Sequence, residues 1–302
     1  MRKILIIKIG ELGDVLRTTP LLRKLHGNVT WITGRQALPL LAGNPYIARL
    51  LTPGGCAKIR RERFDWVINF DEDRRAGKIA SSAKAARKTG VQFSAGKFTY
   101  CENSAPWFDM SLISRLGLRE ADRLKYRSRK TYQHYLFKAC GFRFNGEEYM
   151  LPAAYPEITR PLVAVERRTG LRWPLKHWRG YGDLTGLFKK TGIDFFILRQ
   201  RKSLREYISD INRCAVLVSG DTLAMHIALA LRKRAVAIFN CTSPWEIHGY
   251  ARLRKIVHSR LHEFFYSTAG RSRDFKEIGA DTVFNAVTGA LAQSGLRLRR
   301  RK

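Results

Sequence analysis

Short apolar runs alternate with helix-patterned segments along this whole chain, and that alternation restricts the fold to parallel α/β units. In the first half the strand candidates are Ile4–Ile9, Val29–Thr33, Trp66–Phe70 and Lys88–Phe93. In the second half they are Leu162–Val165, Asp194–Leu198, Cys214–Val218, Ala235–Phe239 and Lys255–His258. These runs favour Val, Ile and Phe without strict alternation, which suits sheets buried on both faces. Helical patterns lie between them at Leu16–Leu25, Arg75–Ala86, Thr131–Cys140, Leu204–Asn212 and Asp221–Leu231. Two prolines in Leu151-Pro-Ala-Ala-Tyr-Pro156 interrupt the pattern before a fresh strand, so the boundary is expected there, giving domains 1–155 and 156–302. A chain of 302 residues suits two cores of about 150 residues better than one.

Two strand-to-helix turns carry an acid. The first is Lys8-Ile-Gly-Glu-Leu-Gly-Asp14 and the second Ser219-Gly-Asp-Thr-Leu-Ala-Met-His226. Gly10 and Gly13 would let the backbone turn tightly and a ligand approach, placing Asp14 at or near the start of a helix Val15–Leu25. Free N–H groups and a partial positive charge at a helix start favour a carboxylate or a phosphate there. An N-cap role for Asp14, worth about 1 kcal/mol, accounts for the same residue equally well. The spacing is not the G-x-G-x-x-G dinucleotide fingerprint. Asp221, at a strand's carboxyl end, suits a ligand crevice. His226 is five positions on, so both can border one cleft only if Asp221 precedes the first helical turn; a buried core histidine is the plainer reading.

Composition narrows the partners. Lys and Arg number 56 against 25 acids, a net charge of +31 with a pI near 10.6. Such a field attracts nucleic acid, anionic lipid or phosphorylated glycolipid. No RRM, KH, zinc-finger or helix-turn-helix signature appears, which leaves only non-specific nucleic-acid binding. Basic residues cluster at Lys58–Arg63, Arg74–Lys88, Lys97, Arg115–Lys130 and Arg252–Arg260, with a basic tail at Arg297–Lys302. Five scattered cysteines without C-x-x-C spacing argue against a disulfide framework or zinc site and for a reducing cytoplasm. No run approaches the ~18 apolar residues of a membrane span. Asp71-Glu-Asp73 imitates a D-x-D metal motif, yet a sheet-end loop is the simpler reading, so no metal or cofactor is expected.

Four segments, in order, resemble the ADP-heptose:lipopolysaccharide heptosyltransferases: Gly10–Leu22, Gly43-Asn-Pro-Tyr-Ile47, Arg172-Trp-Pro-Leu-Lys-His-Trp178 and Ser219–Pro244. The resemblance, which runs from residue 1 to about 288, implies a GT-B fold of two Rossmann-like domains facing across a cleft. It implies inverting transfer of a heptose from ADP-heptose to a lipopolysaccharide inner-core hydroxyl, on the cytoplasmic side of an anionic membrane surface. Carried over, Asp14 matches the base, with Gly10, Gly13 and Arg17 in the acceptor-side loop. Asp221, Thr222 and His226 match the loop and helix start that hold the donor, with the backbone N–H of Leu223 among them, and Lys176, or else Arg172, would meet the diphosphate. A phosphorylated glycolipid is the implied acceptor. The chain departs from the family at Leu223, at Phe239-Asn240-Cys241-Thr242, at Glu166-Arg167-Arg168-Thr169 and at Ser203-Leu-Arg-Glu206, where a Glu-bearing nucleotide segment is missing. It also lacks cysteines over Phe264–Phe275. These departures keep open a different sugar donor or acceptor, or a GT-B scaffold that binds glycolipid without turnover.

Overall fold

The computed structural model describes residues 1–152, 162–271 and 275–295. It comprises two compact units: Met1–Ala153 with Trp245–His248, and Ala154–Pro244 with Gly249–Lys302. The boundary expected between 155 and 156 lies outside the described residues, as does the basic tail Arg297–Lys302.

The first unit is built on a six-stranded sheet of order β3-β2-β1-β4-β5-β6. Its strands are β1 (Lys3–Ile7), β2 (Asn28–Ile32), β3 (Arg49–Leu51), β4 (Arg63–Asn69), β5 (Lys84–Ser94) and β6 (Lys97–Tyr100). All neighbours run parallel except β5 and β6. β1 is central, with Leu5 opposite Thr30 on one side and Val67 on the other, and Ile4 through Ile7 are buried. Burying each such side chain stabilises the fold by roughly 1.5–3 kcal/mol, which is why an unbroken apolar run suits this position. The helices are α1 (Leu12–Thr18), α2 (Leu38–Leu41), α3 (Arg74–Ser82), α4 (Ala105–Phe108), α5 (Leu118–Arg127) and α6 (Tyr132–Ala139). Small residues Ala76 and Ala80 let α3 lie close on Leu5, Ile7, Phe64 and Val67.

Two expectations fail here for physical reasons. The helix expected over Leu16–Leu25 begins earlier, at Leu12, and its α-helical part stops at Thr18. Pro20 lacks an N–H, and the chain tightens into a 3-10 turn over Thr19–Lys24. The helix expected over Arg75–Ala86 ends at Ser82, and β5 begins at Lys84. Pairing with β4, from Arg63 opposite Lys84 to Asn69 opposite Gly90, outweighs the helix propensity of Ala-Ala-Arg-Lys. Gly90 is required: its φ is +93°, and a Cβ there would sit 1.9 Å from the Asn69 carbonyl oxygen.

The second unit holds a five-stranded, all-parallel sheet of order β11-β10-β9-β7-β8. The strands are β7 (Val163–Val165), β8 (Phe195–Ile197), β9 (Val216–Gly220), β10 (Arg234–Phe239) and β11 (Leu253–Val257). The helices are α7 (Tyr181–Thr191), α8 (Leu204–Asn212), α9 (Leu223–Ala230), α10 (Leu261–Phe264) and α11 (Ala280–Ala292). Val163, Val216, Val236 and Ile238 of the sheet share one core with Trp178, Phe188, Val283 and Leu291. Ser203 accepts the Glu206 N–H at 3.2 Å and fixes the start of α8.

In each unit the strand order reverses once. From β1 the chain goes to β2 on one side, and β4 later pairs on the other; from β7 it goes to β8, and β9 later takes the opposite flank. At such a switch point the loops beyond the strand ends diverge and leave a crevice, the usual ligand position in α/β sheets. Lys8–Asp14 and Phe70–Asp73 follow β1 and β4; Glu166–Thr169 and Asp221–Thr222 follow β7 and β9.

Candidate active site

In the first unit, Lys8 leaves the end of β1 buried and donates to the Phe70 carbonyl at 2.9 Å. Its ammonium lies 3.5 Å from Asp14 and 3.9 Å from Asp71. Burial alone would push this ammonium down, but Asp71 and Asp14 outweigh it and hold the pKa above the ordinary lysine value. Asp71 works as a clamp. One of its oxygens accepts the Ile9 and Gly10 N–H groups at 2.6 and 2.9 Å, and the other accepts the Asp73 N–H at 3.0 Å. Burial would raise its carboxyl, yet Lys8 and those N–H donors hold it below the usual carboxylate range. Asp73 caps α3 by accepting from Arg75 and Ala76 at 2.8 and 3.1 Å. The D-x-D look-alike is therefore occupied by backbone donors.

Asp14 is the more open carboxylate of the group, its side chain 36% exposed. It sits inside the first turn of α1, not at its cap; Glu11 is the cap residue and makes no side-chain capping bond. The simple N-cap reading of Asp14 is thereby replaced. The unusual backbone of the turn also falls elsewhere than expected: Glu11 has φ of 35°, and neither Gly10 nor Gly13 has a positive φ. Arg17, one turn on, approaches Asp14 at 3.5 Å and pairs with Glu246 at 3.0 Å. Its guanidinium lies 4.0 Å from the Tyr132 ring centre. Glu246 belongs to the Trp245–His248 segment, which the chain contributes to this unit from far downstream. Nothing in local sequence pattern marks Glu246 or Tyr132 as partners of Arg17.

In the second unit, Gly220 ends β9, and Asp221 and Thr222 precede α9. Asp221 thus lies before the first helical turn, the condition set for it to border a crevice. Lys176, at the end of the 3-10 turn Pro174–Lys176, stands 3.4 Å from Asp221, each side chain 17% exposed. A Cβ on Gly220 would lie 3.4 Å from the Lys176 carbonyl and 3.8 Å from Thr169, so these segments converge. The Thr222 hydroxyl is buried without a hydrogen-bond partner among the described residues. Leu223 opens α9, so its N–H is one of the helix's free donors. His226 is different: it is 4% exposed within the buried run Ala224–Leu229. Arg172 is exposed and stacks at 4.8 Å on the half-buried Trp173, while Trp178 is buried and donates to Ile278 at 2.8 Å.

The family departures have physical content. Glu166 is buried at the end of β7, where its carboxylate accepts the Arg168 N–H at 2.8 Å, the Arg168 guanidinium at 2.9 and 2.6 Å, and the Tyr207 hydroxyl. An acid–arginine–tyrosine cluster thus occupies the Glu166–Thr169 departure. Asn240, after β10, is buried with neither amide atom hydrogen-bonded among the described residues. Burial pushes the neighbouring Cys241 thiol up to about 12, against the pull of Lys176. No group of three or more His, Cys, Asp or Glu among the described residues is arranged to hold a metal. No helix among them is long and apolar enough to cross a membrane.

Residues 170–269 match the family model for glycosyltransferase family 9 (heptosyltransferase). No curated protein sequence is a significant match. Among solved structures, a glycosyltransferase family 9 protein from Veillonella parvula superposes with a TM-score of 0.68 at 16% identity, over 97% of both chains. The E. coli heptosyltransferase WaaC with ADP gives a TM-score of 0.65 at 14% identity, over 95% of this chain and 99% of that one. E. coli ADP-heptose heptosyltransferase II gives 0.65 at 14%, over 97% and 99%. The shared GT-B fold extends along nearly the whole chain, and the match to the glycosyltransferase family 9 model falls on the second unit, over the turns that carry Lys176 and Asp221.

Proposed function

We propose that this glycosyltransferase moves a heptose from ADP-heptose to a hydroxyl of a phosphorylated lipopolysaccharide inner core, with inversion and without a metal. One observation carries the reading: Asp14 remains partly open at a switch point, while Asp71 and Asp73 beside it are consumed by backbone donors. Inversion requires a base that takes the acceptor hydroxyl's proton as its oxygen attacks the anomeric carbon. The bond from that carbon to the β-phosphate oxygen breaks, and ADP departs with the electron pair. Asp14 is the base in this scheme, and Lys8 and Arg17 orient it. Lys176 and the N–H groups of Thr222 and Leu223 would meet the diphosphate charge. Support for the donor comes from the E. coli WaaC structures, which are with ADP and with ADP-2-deoxy-2-fluoro heptose. The net charge of +31 suits a phosphorylated acceptor at an anionic membrane face.

A second reading keeps the fold and changes the nucleotide-sugar. It is favoured by the Glu166–Arg168–Tyr207 cluster at the end of β7. A thermal-shift panel of ADP, UDP, GDP and ADP-heptose separates the two. Ligand at about 100 times its dissociation constant adds roughly 2.7 kcal/mol of stability, and UDP or GDP in place of ADP would redirect the donor. With ADP-heptose and an inner-core acceptor, Asp14→Asn should lower turnover by about 10²–10⁴-fold while leaving stabilisation by ADP intact. Wild-type turnover in that variant would remove Asp14 from the role of base.

A further inference from the structure

The turns that lead into α5, with its first residue, leave three leucines in water. Leu112, Leu116 and Leu118 are 47%, 49% and 58% exposed. One such residue alone would be ordinary. Here Leu112 and Leu116 lie in two successive tight turns, closed by Ser114 N–H to Ser111 at 3.2 Å and Gly117 N–H to Ser114 at 3.3 Å, and Leu118 opens α5 directly after them. The following helix adds charge. Arg119, Arg123 and Arg127 recur every fourth residue and form one exposed stripe of α5. Residues 111–130 hold seven Lys and Arg against the acids Glu120 and Asp122. Arg115 is committed to Glu102 and Asp109, and Arg123 to Glu120. Arg119, Arg127 and Lys130 make no salt bridge among the described residues.

We propose that Leu112, Leu116 and Leu118 with the Arg119–Lys130 stripe form the surface that seats this protein on an anionic lipid bilayer. The leucines enter the interface, and the arginines take headgroup phosphates. Aliphatic tips beside a basic stripe match this chemistry. On a nucleic-acid face the three exposed leucines would stay in water or meet phosphate, whereas at a bilayer they enter the apolar boundary. The patch is also anchored beside the candidate base. The Leu112 N–H donates to Glu72 at 3.3 Å, and the Glu72 carboxyl lies within electrostatic reach of Lys8 and Asp14. The bilayer-facing turns thus adjoin the acceptor-side turn, a consequence that rests on the reading of Asp14 given above; the docking itself does not.

The test is sedimentation with vesicles of phosphatidylcholine alone and with about 30% phosphatidylglycerol, free of glycolipid and donor. Wild-type protein should partition onto the anionic vesicles and little onto the neutral ones. The triple variant Leu112→Ser, Leu116→Ser, Leu118→Ser should lose at least roughly tenfold in partitioning, with its melting temperature and response to ADP unchanged. Arg119→Glu with Arg127→Glu should lose as much at low salt and less at high salt. Leu116→Trp should shift its emission to the blue on anionic vesicles and be quenched by brominated lipid. A triple variant that sediments like wild type, or an unshifted Leu116→Trp, overturns the proposal. So does a basic surface that binds single-stranded DNA and ignores both vesicles. Docking that persists in a protein unresponsive to ADP would overturn the ADP-heptose reading alone.

Discussion

Replacing Asp71 by Asn tests whether the turn that carries Asp14 is held in place by a buried carboxylate. The change keeps the volume but removes the charge opposite Lys8 and converts one acceptor oxygen into a donor. Ile9 and Gly10 share one oxygen, and Asp73 uses the other, so an amide can satisfy one side and must repel the other. Hydrogen bonds to a charged acceptor contribute about 1.5–3 kcal/mol, against about 0.5–1.5 for neutral ones. Removing one partner of a buried ion pair costs about 3–5 kcal/mol. Lys8 keeps Asp14 at 3.5 Å, which places the expected loss near the low end, about 3 kcal/mol at neutral pH. Urea unfolding followed by tryptophan fluorescence measures it, and amide exchange at Ile9 and Gly10 should quicken by about 100-fold if the turn opens locally. The pH dependence has a definite sign. Asp71 titrates below its ordinary value in the fold, so its contribution is complete above the unfolded pKa of about 3.9 and is lost as pH falls through the lower folded value. The gap between wild type and Asp71→Asn should therefore close in acid. A loss under about 1 kcal/mol at pH 7, or a gap that persists unchanged well below pH 3, would refute the clamp.

Two further substitutions probe the same unit. Arg17→Lys keeps a cation between Asp14 and Glu246 but forfeits the guanidinium's contact over the Tyr132 ring at 4.0 Å, so a stability loss of about 1–2 kcal/mol is expected by urea titration. Undiminished stability would show that the contact contributes nothing. Gly90→Ala forces a methyl group to within 1.9 Å of the Asn69 carbonyl at φ of +93°, and should cost more than about 3 kcal/mol or abolish soluble expression; a wild-type melting curve would contradict the path of β5.

Central strands and one helix were legible in the sequence because a single local force dominates them. Ile4–Ile7, Val216–Val218 and Ala235–Phe239 are buried runs that only a sheet covered on both faces explains. Leu204–Asn212 was legible end to end because Ser203 caps it. β5 was not, because Lys84–Lys88 has helix-forming composition and only its long-range pairing with β4 decides otherwise. The site divides along the same line. Asp14 and Asp221 stand at strand-to-helix turns that sequence pattern marks, and Lys176 lies in a segment marked by the family resemblance, whereas Glu246 reaches Arg17 from 229 positions away. Asp71 was visible as an acid after a strand, but its clamp on Ile9 and Gly10 depends on β1 and β4 being neighbours, which spacing does not encode.

The two turns look alike on paper, a lysine within 3.5 Å of an aspartate in each, yet their surroundings give them different capacities. Lys8 is bound to the Phe70 carbonyl and lies between two carboxylates inside the fold, so moving it toward a ligand would strand buried charges. It can fix Asp14 in place but cannot follow a departing group. Lys176 pairs with Asp221 at the half-buried end of its sheet and has no other carboxylate beside it among the described residues. A diphosphate arriving there competes with one aspartate for the ammonium, and the exchange replaces one anion beside Lys176 by another. The movable cation therefore belongs to the second unit and the fixed one to the first. That division suits the proposed roles, proton removal by Asp14 and leaving-group charge at Lys176, because a base gains from being held still and a diphosphate site gains from a cation free to turn toward it.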